Sequence, residues 1–271
     1  MEFSKEQLKK LSDLFGAKVE KQLTIEEVQK FVRLDTIDDC KQYLTVMLDF
    51  YFDVIKSPEG RKATSPFEDE RNIWLQTMFS KGCQFKSLLD GVGYSKGASH
   101  LKPIIDFSIL FTIARCVYES LIAFEILFVL PKTEDKQTKA TIDYALGNGK
   151  RFRYIFKDDN TMEFIQYEKA YTLLNVKENL FNSLYSFFSL HGHPSYLSLI
   201  QFRDAFKDEY RADMDMAKHA TQCVLAFMSI YIVDYMKLVP EIKTMYDKLE
   251  EPRRFAIGMY EDAMRGEKKF K

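Results

Sequence analysis

Glycine and proline are scarce in this chain: its 271 residues include only 11 and 7 of them. Average usage is about 7% and 5%. A many-turned β-sandwich or barrel needs frequent turn residues, so the shortage argues against one and favours a few long helices. Cysteine is also rare. Cys40, Cys83, Cys116 and Cys223 are scattered with no Cys-x-x-Cys pair, which speaks against a zinc knuckle, a redox motif or a disulfide framework. They fit small core hydrophobes in a reducing cytoplasm. Neither sign of charge dominates, with 39 basic and 40 acidic residues and a net charge of −1. The basic excess of a dedicated nucleic-acid binder is absent, and nucleic acid would need a local patch. The opening residues Met1 to Glu6 form no apolar core of a secretion signal, so a cytoplasmic location is expected.

What is abundant is apolar and aromatic. Hydrophobic residues make up 46% of the chain, with 23 Phe and 15 Tyr against one Trp. That content excludes a disordered chain and is enough for a substantial core. The expected fold is all-α, a multi-helix bundle with a long buried central helix. The candidate for that helix is Ile104 to Leu130, opened by Pro103 and closed by Pro131. It is long enough to span a bilayer, but it contains Asp106, Arg115, Glu119 and Glu125. Central charges cost roughly 2.5–3.5 kcal/mol each, while each large apolar residue returns only about 0.3–0.6. A core helix of a bundle is therefore expected, and no membrane partner.

Helix starts recur along the chain. Ser4 with Gln7 and Thr24 with Glu27 are capping-box patterns. The apolar spacing behind Thr24 runs to Phe52, with a break near Asp35. Ser65-Pro66-Phe67-Glu68 places Ser at the cap and Pro at the first helical position; that helix is expected to reach about Ser80 and stop near Gly82. Gly91 to Gly97 reads as a flexible connection, since it lacks the Gly-Lys-Ser/Thr of a phosphate loop. Thr133-Glu134-Asp135 starts another helix, which ends at Gly147-Asn148-Gly149. Arg151 to Lys157 alternates basic and aromatic residues, as a short strand, an amphipathic edge segment, a helix start or a grip on single-stranded nucleic acid would. Helix is expected from Met162 to Leu190 with a break near Asn175, from Tyr196 to Phe206 and from Arg211 to Val239, with Pro240 and Pro252 punctuating a helical tail. Residues 1–60 read as an N-terminal helical hairpin, either separate or part of the same domain, and 61–271 as the helical bundle domain.

Two polar features interrupt the apolar pattern. Arg115 and Glu119 share a helix face with Ser108 and Thr112. They read either as an internal ion pair or as an Arg oriented by Glu to receive an anion, with the hydroxyls adding donors. Tyr185, Ser189 and His193 follow at spacings of four and end on the turn His191-Gly192-His193-Pro194-Ser195. His193 reads as a capping or core residue, or as an acid–base group if Arg115 and Glu119 meet it from another helix. No metal site is expected, because His191 and His193 lack further ligands nearby in sequence; no cofactor is expected either. His219 reads as a core or interface residue, and Ser195 lacks a nucleophile elbow. The candidate catalytic residues are thus Arg115, Glu119 and His193, and the candidate ligand contacts Ser108, Thr112, Tyr185 and Ser189.

Over Leu101 to Ser195 the pair of motifs Arg115-x-x-x-Glu119 and Ser189-x-x-x-His193-Pro194-Ser195 resembles a family of uncharacterised bacterial all-α proteins, a domain of unknown function. The resemblance implies an all-α fold and a site at these residues rather than a particular activity. More distantly, the chain is similar to the helical domains of toxin and antiphage ribonucleases, the higher eukaryote and prokaryote nucleotide-binding class. Those carry an Arg four to six residues before a His; here Phe187 to Leu190 contain no Arg, and Arg211 lies further from His219. Three functions are consistent with these residues. They are an interaction or scaffold module, pairing with a second copy or another protein; an RNA- or nucleotide-directed enzyme using Arg115 and His193; and an anion or small-ligand sensor.

Overall fold

The computed structural model describes residues 36–131, 133, 135–136, 154–156, 162–164, 188, 192 and 214–265. Seven α-helices dominate them: α1 (Ile37–Lys56), α2 (Pro58–Arg61), α3 (Pro66–Leu88), α4 (Phe107–Phe124), α5 (Met214–Leu238), α6 (Pro240–Asp247) and α7 (Glu251–Arg265). Helix α4 continues into a π-helical turn, Glu125–Val129. The fold is all-α in its core. Two short antiparallel hairpins are added, β1 (Val92–Lys96) with β2 (Ser99–Ile104) and β3 (Tyr154–Phe156) with β4 (Met162–Phe164).

The helices begin where local chemistry permits. Thr36 caps α1 through a complete capping box: its hydroxyl accepts from the Asp39 N–H, and the Asp39 carboxylate accepts from the Thr36 N–H at 3.1 Å. This start at Ile37 agrees with the expected break near Asp35. Ser65 caps α3 with Pro66 in its first turn. Asp106 caps α4, accepting from the backbone N–H groups of Ser108 and Ile109. These caps satisfy amide donors that have no partner inside the helix.

Helices α4 and α5 are the inner pair, and α1, α3 and α7 cover them. Both are long and apolar enough to cross a membrane, yet 61% and 72% of their most apolar windows are buried inside the fold. One apolar core joins residues of α1, α3, α4, α5, α6 and α7, so the described part of the first sixty residues shares it. Its centre is aromatic: Phe124 lies 4.2 Å from Tyr231 between ring centroids, and Tyr118 lies 5.2 Å from Phe227.

Four expectations are corrected. The α3 helix does not stop near Gly82 but runs to Leu88. Gly82 is buried at a helix crossing, where a Cβ would come within 2.8 Å of Leu48 Cδ2 and 2.9 Å of Met228 Cε. The Gly91–Gly97 segment is not a plain connection. Its residues from Val92 form strand β1, and Gly97 turns the hairpin at φ +62°. Pro103 does not open the central helix but lies in β2, next to an irregularity in the pairing between Val92 and Tyr94. Proline has no amide hydrogen and suits such a break in the ladder. Finally, Met162–Phe164 is a strand paired with Tyr154–Phe156 rather than a helix start, so the described part of Arg151–Lys157 is a short strand. The expected helices at 4–31, 137–147, 165–187 and 196–206 lie outside the described residues.

Deleting one cap or one central ring separates the local from the packing contribution. Thr36→Ala should lower the unfolding free energy by about 1 kcal/mol, and Phe124→Ala by about 3–5 kcal/mol, both read from urea titrations. Equal losses would contradict the central position of Phe124.

Candidate functional site

The site begins with the face of α4 that turns away from its deepest side. Apolar residues Leu110, Phe111, Ala114, Val117, Tyr118 and Leu121 enter the core. Between them fall Ser108, Thr112, Arg115 and Glu119, on the face expected from helical spacing. Arg115 donates from Nε to Glu119 Oε1 at 2.9 Å, with the two side chains 14% and 25% exposed. The pair is half-buried rather than solvated, and Arg115 has a further interaction besides. An i,i+4 pair on an open surface contributes only about 0.3–0.5 kcal/mol; partial burial makes it costlier to leave one partner alone.

The hydroxyls beside it are already engaged. Ser108 Oγ donates to Asp106 Oδ1 at 2.6 Å, as part of the cap that starts α4. Thr112 Oγ1 donates to the Ser108 carbonyl at 2.7 Å. Each hydroxyl has one hydrogen, so in this arrangement neither is a donor toward an anion; only their lone pairs face outward. Ser108 is thereby better explained by helix initiation than by ligand contact.

A second segment approaches this face. Phe188 is buried, with its ring centroid 6.0 Å from Phe111 and 6.2 Å from Phe227. Gly192 is helical rather than part of the expected turn, and it passes close to Thr112: a Cβ at 192 would lie 2.9 Å from Thr112 Oγ1 and 3.8 Å from Thr112 Cα. The chain that carries the His-Gly-His motif therefore touches the helix that carries Arg115, one helical turn before it. Tyr185, Ser189, His191 and His193 themselves, and Ser195, lie outside the described residues.

Other candidates are placed more simply. His219 is exposed, with Nδ1 2.7 Å from the Asp215 carbonyl oxygen. It is not a core residue, because Ala217 and Ala220 define the buried side of α5 there. His100 is exposed on β2 and lies 2.8 Å from Ser95 Oγ. Among the described residues, no three His, Cys, Asp or Glu side chains gather as a metal ion would require. Burial pushes the Cys40 thiol up to about 11 and the Cys223 thiol up to about 12. Both stay protonated near neutral pH, so neither supplies a thiolate nucleophile.

Sequence reasoning missed a different polar group, one drawn from several helices. Arg71, Asn72, Glu125, Tyr231 and Tyr235 are all buried. Tyr235 donates from its hydroxyl to Asn72 Oδ1 at 2.8 Å, and the Arg71 guanidinium sits 5.6 Å from the Tyr235 ring centroid. The available signal was Glu125, a charge near the end of the most apolar helix. Its partners come from elements far away in sequence, and no spacing rule joins them. Compared with protein-family models, curated proteins and solved structures, the chain has no match.

The Gly192–Thr112 approach can be checked by a double-mutant cycle. Gly192→Ala should destabilise, because overpacking at a tight contact costs about 1–3 kcal/mol, more than the roughly 1 kcal/mol gained from the better helix propensity of Ala. With Thr112→Ala removing the opposing oxygen, the same exchange should become neutral or stabilising in thermal unfolding. An identical effect in both backgrounds would sink the contact.

Proposed function

We propose that this protein is a helical interaction module and that the β1–β2 hairpin is its docking element. The observation that carries the reading is the exposure of that hairpin. All five residues of β1 are exposed, and Val92 and Tyr94 are 69% and 68% open to solvent. They stand two apart on one strand. Single exposed apolar residues need no explanation. Two on an isolated two-stranded hairpin are different, because such a hairpin is marginal without a further face to pack on, and its outer edges offer unpaired backbone groups. The hairpin carries Lys96, His100 and Lys102, with no Asp or Glu from Gly91 to Ile105. The surface it fits is therefore apolar at its centre and acidic at its rim. The partner we assign is a second copy of this chain in the cytoplasm, engaged away from its own hairpin, because hairpin to hairpin would oppose like charges.

A second reading is supported by the approach of Gly192 to Thr112. On that reading His193, next in the chain, joins Arg115 and Glu119 to act on RNA or a nucleotide, with Arg115 binding phosphate and His193 exchanging the proton. A small-anion sensor would use the same residues without chemistry. The resemblance to an uncharacterised bacterial family fits any of these.

The two readings separate experimentally. For the module, light scattering across a wide concentration range should find the wild type associating and Tyr94→Asp monomeric, with an unchanged melting temperature because the residue is exposed. A monomeric wild type, or a variant that associates as before, removes the reading. For the enzyme, Arg115→Ala and His193→Ala should each abolish hydrolysis of RNA or nucleotide at nearly unchanged melting temperature. A large thermal loss in both, with no activity in the wild type, assigns the cluster to structure instead.

A further inference from the structure

Besides the Arg115 face, the core holds polar groups that its hydrophobic packing does not require. Tyr231 is fully buried on α5, and its hydroxyl makes no hydrogen bond among the described residues. Arg71 is 9% exposed on α3, and its Nε–H is likewise without an acceptor. Glu125, 1% exposed, begins the π-helical turn, in which the Leu130 N–H reaches back to the Glu125 carbonyl at 2.9 Å. Such turns admit one extra residue into a helix and re-aim the side chains around it. The Tyr231 ring lies between Phe124 at 4.2 Å and Tyr51 at 6.2 Å, and stacks with Tyr235 at 6.4 Å. The Tyr235 ring in turn carries the Arg71 guanidinium.

The neighbouring hydroxyls are accounted for. Tyr51 donates to the Met228 carbonyl at 2.8 Å, and Tyr235 to Asn72. Tyr231 alone of the three finds no acceptor among the described residues. Burial keeps its hydroxyl protonated by raising its pKa well above the ordinary value. Tyr51, Tyr235 and Glu125 add to the rise, while Arg71 opposes it. Tyr231 is therefore a donor within electrostatic reach of one buried cation and one buried anion. Leaving a buried donor unmatched is costly, and native cores rarely do so.

We propose that Tyr231 and Arg71 form an internal water-binding site at the π turn. The charges choose the guest. An anion would suit the two donors but would face the Glu125 carboxylate at low dielectric, and a cation would face the guanidinium. A water molecule matches all three: its lone pairs accept from Tyr231 O–H and Arg71 Nε–H, and its hydrogens point toward the Glu125 carboxylate. Two to four polar partners are what a buried water needs. The bridge couples α3 and α5 to the π turn through a neutral molecule.

A high-resolution crystal structure of the full chain, with a matching Tyr231→Phe structure, tests this. The expected result is one solvent peak within hydrogen-bond distance of Tyr231 Oη and Arg71 Nε, absent in Tyr231→Phe, which melts at a lower temperature than the wild type. A wild type with no peak overturns the site, as does a direct Tyr231–Arg71 or Tyr231–Glu125 hydrogen bond. A Tyr231→Phe protein that melts higher also overturns it, because the hydroxyl would then be only a burden on the core. Density larger than one water overturns the choice of guest.

Discussion

The packing of α4 against α5 is the contact on which the rest of the structure depends. Each is apolar around most of its circumference, and neither can satisfy water on any broad face. Their mutual burial, with Phe124 on Tyr231 and Tyr118 on Phe227, leaves outer surfaces that α1, α3 and α7 must cover. Burying one large apolar side chain is worth about 1.5–3 kcal/mol, so dozens of such residues outweigh the few polar intrusions among them. The covering helices can accordingly be amphipathic and charged outside. This division explains how a chain of nearly balanced charge folds around two helices that are long and apolar enough to cross a membrane.

The same packing sets the terms for polar groups. Where a side chain lies on the rim of α4, as with Arg115 and Glu119, it can pair within its own helix and keep partial contact with solvent. Where it lies deeper, as with Glu125 and Tyr231, its partners must come from other helices or from a small guest. The rim position tolerates exchange of ligands; the deep position favours permanence. A recognition or catalytic role belongs more naturally to the first and a positioning role to the second.

Much of the helical frame was legible in the residues. Ser65-Pro66 and the apolar spacing of α4 each announced a helix, and the i,i+4 relation of Arg115 to Glu119 became a hydrogen-bonded pair. What could not be read was anything decided by a remote neighbour. Gly82 looked like a stop but is a crossing point, because Leu48 and Met228 arrive there from other helices. Pro103 looked like a helix opener, yet the preceding strand pairing claimed it, and Asp106 took the capping role. Ser108 looked like a ligand donor, but Asp106, two residues away, takes its hydroxyl hydrogen. The polar group around Tyr231 has members on α3, the π turn and α5, so no local pattern could assemble it.

The hairpin between α3 and α4 has one more consequence. Its strands leave the core at Leu89 and return at Ile105, both buried, while the strand β1 between them is exposed throughout. The bundle therefore registers this stretch mainly as a pair of fixed attachment points. Closing a longer loop between two such points adds little entropy cost, about 0.6 kcal/mol per doubling of length. Sequence change here is thus largely decoupled from the stability of the fold. The arm is a modular insert, free to diverge in length and specificity while the aromatic interior stays the same.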